Sequence, residues 1–284
     1  MSQEVLKKLI IEKVYRNGSV MIEEDEIIAE ERIDFYLNGM KLLSVMGIAQ
    51  DQDAHIVGFL MSEGVITHVE DIHSLRISDN GLSVYIDASV NEENIQNLFK
   101  EKTLTTGCCV GVTGNVEDKI VKEFNRSTVS YNVDMLFDEV DRFYGSSALF
   151  RQSGCVHKAR LVLKEGEAIE AEDVGRHNAI DKVIGKARLS HADTQDAFLI
   201  VSGRLSMEMV VKCVMHGITM VISKAAPTRL GIKTAQLHGI TLIGFAREGK
   251  MNLYTHSSRV DTAHTVINAD STPCIIEEVC VAAS

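Results

Sequence analysis

Tryptophan is absent from the 284 residues, and proline occurs only twice, at Pro227 and Pro273. No proline-rich spacer therefore holds domains apart. The longest apolar stretches are strand-sized and broken by charge, too short to supply a membrane-spanning helix. The first residues, with Glu4, Lys7, Lys8, Glu12 and Lys13, lack the apolar block of a signal peptide, which predicts a cytoplasmic protein with no membrane partner. Long polar or low-complexity tracts are missing too, so disorder is expected only at the two ends. Basic residues are in deficit: 29 against 40 acidic ones, a net charge of −11. Such a surface is ill-suited to nonspecific nucleic-acid binding, although a local basic pocket for one anion remains open. Six cysteines are too sparse for a disulfide scaffold, and in a reducing compartment they are free thiols by default.

What is present is the composition of an ordinary globular protein, 45% hydrophobic and 24% charged, long enough for two modest domains. Residues 32–46 read as a β-hairpin: Ile33, Phe35 and Leu37 alternate with polar residues, Asn38-Gly39 makes a two-residue turn, and Leu42 to Val45 return. A helix is predicted from about Ala54 to Ser62, stopped by Gly64, then a strand at Leu82–Ile86 and a short helix at 92–100. The first third, residues 1–102, is thus a small α+β N-terminal domain.

The segment 103–131 has no strong period and holds Gly107, Gly111 and Gly114, so it reads as a loop and linker. From Asn132 onward Val133, Leu136, Phe137, Val140, Phe143 and Tyr144 recur at helical spacing. Strands are then expected near 157–163, 197–202, 218–223 and 240–245, with helices near 176–188, 205–216 and 227–238. Gly217 and Gly239 close two helices, and Pro227 suits the first turn of the last. Alternation of this kind predicts a largely parallel sheet covered by helices. Three polar turns, Ser202-Gly203-Arg204, Ser223-Lys224 and Ala246-Arg247, would then share one sheet edge, where Arg204, Lys224 and Arg247 converge on an anion unless each is a separate solvated loop.

Two thiols, Cys108 and Cys109, stand between Gly107 and Gly111. Flanking glycines let a loop swing and let another backbone approach, as a sulfur-carrying thiolate requires; two small hydrophobes packed in a turn is the plainer alternative. Cys213 lies in an apolar run and reads as packing, while Cys274 and Cys280 look incidental. Zinc chemistry fails on spacing. His68-Val69-Glu70 matches half of a deaminase signature, but Pro273-Cys274 is followed by Cys280, not by a cysteine three positions on. Walker, dinucleotide and nucleophile-elbow motifs are absent. The string Glu172 to Lys182 places Arg176, His177 and Asn178 at a helix start, suited either to an anion or to a capped, salt-bridged surface.

Taken together, Glu172-Asp-Val-Gly-Arg-His-Asn-Ala-Ile-Asp-Lys182, Ser202-Gly-Arg-Leu-Ser-Met-Glu-Met209, Ser223-Lys-Ala-Ala-Pro-Thr228, Gly244-Phe-Ala-Arg247 and Asn252-Leu-Tyr-Thr255 resemble the formate dehydrogenase accessory sulfurtransferase family (FdhD/NarQ). Asn38-Gly39 and Gly58-Phe-Leu-Met-Ser-Glu-Gly64 extend the resemblance, which runs in order from about residue 26 to 256. It implies an α/β protein whose second domain, 132–256, is a three-layer cytidine-deaminase-like fold without zinc; the C-terminal tail, 257–284, lies beyond the resemblance. It implies a homodimeric sulfur carrier that passes persulfide sulfur from a cysteine desulfurase to Mo-bis(molybdopterin guanine dinucleotide), for use by formate dehydrogenase. Cys108 falls at the family's persulfide-forming position, and Phe245, Ala246, Arg247, Glu248, Gly249 and Lys250 fall where the cofactor's nucleotide portion is held. One departure stands out: the family's Cys-x-x-Cys is here Cys108-Cys109-Val110-Gly111, which leaves open whether Cys108 or Cys109 carries the sulfur. The alternative is a chaperone that holds the cofactor without moving sulfur.

Overall fold

The computed structural model describes residues 4–98 and 124–262. Cys108, Cys109, Cys274 and Cys280 lie outside those residues.

The chain opens with an antiparallel ribbon, β1 (Leu6–Val14) and β2 (Val20–Ile28), for which the sequence pattern offers no strand. A four-stranded sheet follows, in the order β4-β3-β6-β5. Its strands are β3 (Glu30–Leu37), β4 (Met40–Ile48), β5 (Ile72–Ile77) and β6 (Ser83–Ala88). The hairpin of β3 and β4 turns on Asn38 at φ 49° and Gly39 at φ 78°, the paired left-handed geometry that Asn-Gly favours. Helices α1 (Gln52–Ser62) and α2 (Glu92–Leu98) accompany this sheet. Ile33, Phe35, Ile56, Leu60, Val84 and Ile86 form its core.

The second half is built on six strands in the order β13-β12-β11-β10-β8-β9. They are β8 (His157–Val162), β9 (Ala168–Asp173), β10 (Phe198–Val201), β11 (Met220–Ser223), β12 (Thr241–Arg247) and β13 (Lys250–Thr255). Only β10, β11 and β12 run parallel to one another, so the sheet is mixed, not largely parallel. The sequence reading missed β9 and β13, which return through tight turns instead of helices. A short parallel pair, β7 (Tyr131–Asn132) with β14 (Val260–Asp261), lies beside them.

Alternation within the central strands sets the three layers. Leu161, Leu199, Val201, Val221 and Leu242 face α5 (Arg176–Leu189), α6 (Met207–Met215) and α7 (Arg229–His238). Val162, Phe198, Ile200, Met220, Ile222 and Ile243 face α3 (Val133–Gly145), through Leu136, Val140 and Phe143. The Asn132 side chain caps α3, accepting from Asp134 N at 2.8 Å. A short α4 (Ala148–Ser153) follows it. Pro227 stands outside α7, whose cap is Thr228; it bridges to Leu205, because the loop after β11 must first cross the start of α6.

The two halves meet where α1 crosses α5. A Cβ at Gly58 would lie 1.8 Å from the Asp181 carbonyl oxygen, and one at Gly185 would lie 1.8 Å from that of Ala54. Only glycine allows the two backbones this close.

Candidate functional site

The described pieces of the expected site fall in three places. The first is the string Glu172 to Lys182, read as an anion-binding helix start. Asp173 is fully buried and accepts from Lys182 Nζ at 2.6 Å, Ile48 N at 3.1 Å and Asn178 Nδ2 at 2.9 Å. Lys182 also donates to Ile48 O at 3.0 Å, and Asn178 to Met46 O at 2.9 Å. These side chains are turned away from any ligand; they clamp β4 against the second sheet. Asp181 likewise accepts from Lys212 at 2.5 Å and Ser62 at 3.0 Å. Neither expected reading of this string holds for Asp173, Asn178, Asp181 and Lys182: the helix starts after Gly175 without a side-chain cap, and the paired groups are buried, neither salt-bridged on a surface nor aimed at an anion. His177 Nε2 lies 2.7 Å from Glu208 Oε2, and the Arg176 side chain packs over Gly203, where a Cβ would meet its Cδ at 2.9 Å.

The second is the turn from Phe245 to Lys250. It joins β12 to β13 through Glu248 at φ 54° and Gly249 at φ 69°, with Arg247 paired to Lys250. Arg247, Glu248, Gly249 and Lys250 are exposed, Phe245 is half-buried and Ala246 is buried in the core beneath α3. Phe245 sits at φ 52°, a left-handed backbone that an aromatic residue seldom adopts, beside a register shift between Gly244 and Arg247. Gly244 is needed there, since a Cβ would lie 2.9 Å from Pro227 Cδ and 3.2 Å from Ala225 O.

The third is a cavity of about 390 Å³ at the carboxyl ends of β10 and β11. Its lining includes Phe143, Tyr144, Phe150, Cys155, His157, Lys158, Ser202 and Lys224. The parallel strands therefore do bring Ser202 and Lys224 together, as the topology predicts. Arg204 and Arg247 are exposed and do not line it, and the Ser223 hydroxyl is spent on Gly203 O at 2.7 Å. The expected convergence is thus partial.

Charge in the cavity is unevenly committed. Lys158, 5% exposed, holds Glu170 Oε2 at 2.8 Å and donates to Ser146 Oγ. Salt-bridging to Lys158 and Arg160 outweighs burial and holds the Glu170 carboxyl below its usual range. The Lys224 ammonium lies 4.5 Å over the Tyr144 ring, while its backbone N–H donates to the Tyr144 hydroxyl at 2.9 Å. Burial pushes the Tyr144 phenol up to about 12, so it stays protonated. His157 Nδ1 is 2.9 Å from Ser202 Oγ, which also accepts from Lys158 N at 3.1 Å. Burial, with Arg176 and His177 nearby, lowers the His157 pKa, so the ring is neutral at pH 7.

Cys155 is an exposed thiol on this cavity that sequence reasoning missed. Its only sequence signal is the preceding Gly154, at φ 64°, which closes α4 and turns the chain into β8. Cys213 is buried as expected, and burial pushes its thiol up to about 12. Among the described residues no group of three or more His, Cys, Asp or Glu is placed to hold a metal ion. No helix there is long and apolar enough to cross a membrane.

Comparison with known proteins gives consistent findings. The FdhD/NarQ family model matches residues 28–261. The chain is 59% identical over 256 residues to a Wolinella succinogenes protein named sulfur carrier protein FdhD, covering 90% of each. Proteins of that name from Streptomyces coelicolor and Bacillus subtilis are 33% and 31% identical, over 86% and 87% of this chain and 92% and 94% of theirs. A solved structure from Desulfotalea psychrophila, described as a formate dehydrogenase accessory protein, aligns with a TM-score of 0.75 at 23% identity. It covers 90% of this chain and 100% of its own, and shows that the two share a fold.

Proposed function

The chain belongs to the FdhD/NarQ family, and from that premise we propose that it is a sulfur carrier serving formate dehydrogenase. The observation that carries this reading is the near full-length likeness to proteins named as sulfur carriers, at 59% identity in one case. Cys108 is the proposed carrier. Its thiolate attacks the outer sulfur of a cysteine desulfurase persulfide; the donor S–S bond breaks, and the donor leaves as a thiolate. Cys108 then holds the sulfur as a persulfide for delivery to Mo-bis(molybdopterin guanine dinucleotide), the acceptor. Within Phe245–Lys250, the exposed turn from Arg247 to Lys250 offers its two basic side chains to the phosphates of that acceptor's nucleotide portion. The protein works as a cytoplasmic homodimer in this reading.

The test is mass spectrometry of the peptide spanning Cys108 and Cys109 after incubation with an active desulfurase and cysteine. A gain of about 32 Da, one sulfur atom, is expected and is lost in Cys108→Ala but kept in Cys109→Ala. No gain on either cysteine while the desulfurase turns over would overturn sulfur carriage. A Cys108→Ala variant that still restores formate dehydrogenase in a deficient strain would favour a cofactor chaperone.

A further inference from the structure

We propose that the outer edge of β1 pairs with the same edge of a second copy of this chain, joining the two ribbons into one four-stranded sheet. β1 hydrogen-bonds to no strand but β2, so its other edge is open along the nine residues Leu6–Val14. A two-stranded ribbon is marginal by itself; three or more strands with an apolar face are needed for stability. Among the described residues, eight of the sixteen large apolar side chains left exposed lie between Leu9 and Ile27, which concentrates them on this ribbon. Ile10, Val14, Val20 and Ile22 are 64%, 69%, 55% and 70% exposed, and the register puts all four on one face. A contiguous apolar face of that kind marks an interaction surface.

The occupant is written in the strand itself. Full antiparallel overlap of two copies of Leu6–Val14 sets Leu6 against the partner's Val14, Leu9 against the partner's Ile11, and Ile10 against the partner's Ile10 on the two-fold axis. Every apolar residue of β1 then meets an apolar residue, because the strand's apolar pattern reads the same from either end. Lys8 falls opposite the partner's Glu12, and Glu12 makes no salt bridge among the described residues of its own chain. Lys7 faces the partner's Lys13, but each is already matched within its own chain, by Glu31 and Glu23. The β2 edge does not suit a second copy, since Glu23-Glu24-Asp25-Glu26 would face the same acidic run. This pairing gives the homodimer proposed above its surface; it rests on that reading, but not on sulfur carriage.

Two-fold symmetry supplies the test. Directly opposed residues of an antiparallel pair have Cα atoms about 4.5–5.5 Å apart, inside the ~4.4–6.8 Å span of a disulfide. Full-length Ile10→Cys is expected to form a covalent dimer on mild oxidation, with the two peptides carrying the substitution joined in the digest. In Val14→Cys the two thiols would stand about 27 Å apart, eight positions at ~3.4 Å each, and should not join. In sedimentation equilibrium, Ile10→Lys should raise the dimer dissociation constant about tenfold or more by setting like charges on the axis, while Val20→Lys on β2 leaves it unchanged. If the wild type is dimeric and Ile10→Lys leaves it so, the homodimer stands and this surface falls. A wild type that stays monomeric at tens of micromolar removes both. Joining of Val14→Cys as readily as Ile10→Cys would overturn the register, and cross-linking of Ile10→Cys to the desulfurase instead of to itself would assign the edge to that partner. Sulfur on Cys108 is read by its own mass gain in Ile10→Lys, so failure here and failure of sulfur carriage are separately visible.

Discussion

Asp173 and Lys182 are both fully buried, 2.6 Å apart, and each also bonds the backbone of Ile48. A buried pair of this kind contributes little net stability over a well-packed apolar pair, but removing one partner strands the other charge. Lys182→Met is therefore expected to cost about 3–5 kcal/mol, read as a lower urea midpoint with an unchanged slope. The cost should be similar for Lys212→Met, whose ammonium holds Asp181 at 2.5 Å. Residue types alone made this string dense in functional groups. Their partners in β4 lie 125 to 134 positions away in sequence, beyond any local pattern. Cys155 shows the converse: an unremarkable thiol acquires its setting only when α3, α4 and the β8 start close around it.

At the scale of elements, the closest backbone approach at a glycine among the described residues joins α1 to α5 through Gly58 and Gly185. Gly58→Ala or Gly185→Ala drives a methyl into a carbonyl carbon and oxygen that belong to backbone and cannot swing aside. Each is expected to cost about 3 kcal/mol and to lower Tm by roughly 6–12 °C, measured by differential scanning calorimetry. Gly154→Ala, where nothing lies within 4 Å but φ is 64°, should cost only about 1 kcal/mol from backbone strain. The α1 helix, its stop at Gly64 and the Asn38-Gly39 hairpin were all legible, because a stop or a turn is written in a few adjacent residues. The ribbon of β1 and β2 was not. Leu6-Lys-Lys-Leu-Ile-Ile-Glu-Lys-Val14 lacks a period of two, since both of its faces stand largely in solvent and neither selects an apolar side.

Across the whole molecule, acid sensitivity is expected to arise at the seam between its halves. His55 and His216 are buried there, and burial depresses them to about 4 and about 3. Lys182 and Lys212 reinforce the effect at His55, opposed by Asp173 and Asp181; Arg188 and Lys212 reinforce it at His216. Both rings are neutral in the folded state, while the unfolded chain binds their protons near pH 6.5. Unfolding therefore takes up protons between about pH 6.5 and 4, and stability must fall as pH drops through that window. The loss is on the order of 1 kcal/mol per pH unit for each histidine. Guanidinium midpoints at pH 7, 6 and 5 should decline, and less steeply in His216→Gln. A flat profile would mean that these rings are hydrated in solution.

The sequence by itself determined the kinds of element and their apolar faces. Helical spacing in Val133–Tyr144, the buried strands of the second half and the Asn-Gly turn depend on neighbours a few residues apart. It also placed two polar turns after strand ends, which was enough to anticipate Ser202 and Lys224 on one edge, whereas the third, Ala246-Arg247, lies within β12. Tertiary structure alone decided which of those charges remain available. Arg204 and Arg247 stay in solvent, Lys158 is neutralised by Glu170, and Asp173, Asp181, Lys182 and Lys212 are consumed inside the seam. The reason is physical: an ionic group's role depends on how deeply it is desolvated and what lies within about 4 Å. That distance is set by chain segments far apart in sequence, as Lys224 over Tyr144 illustrates, the two being 80 positions apart.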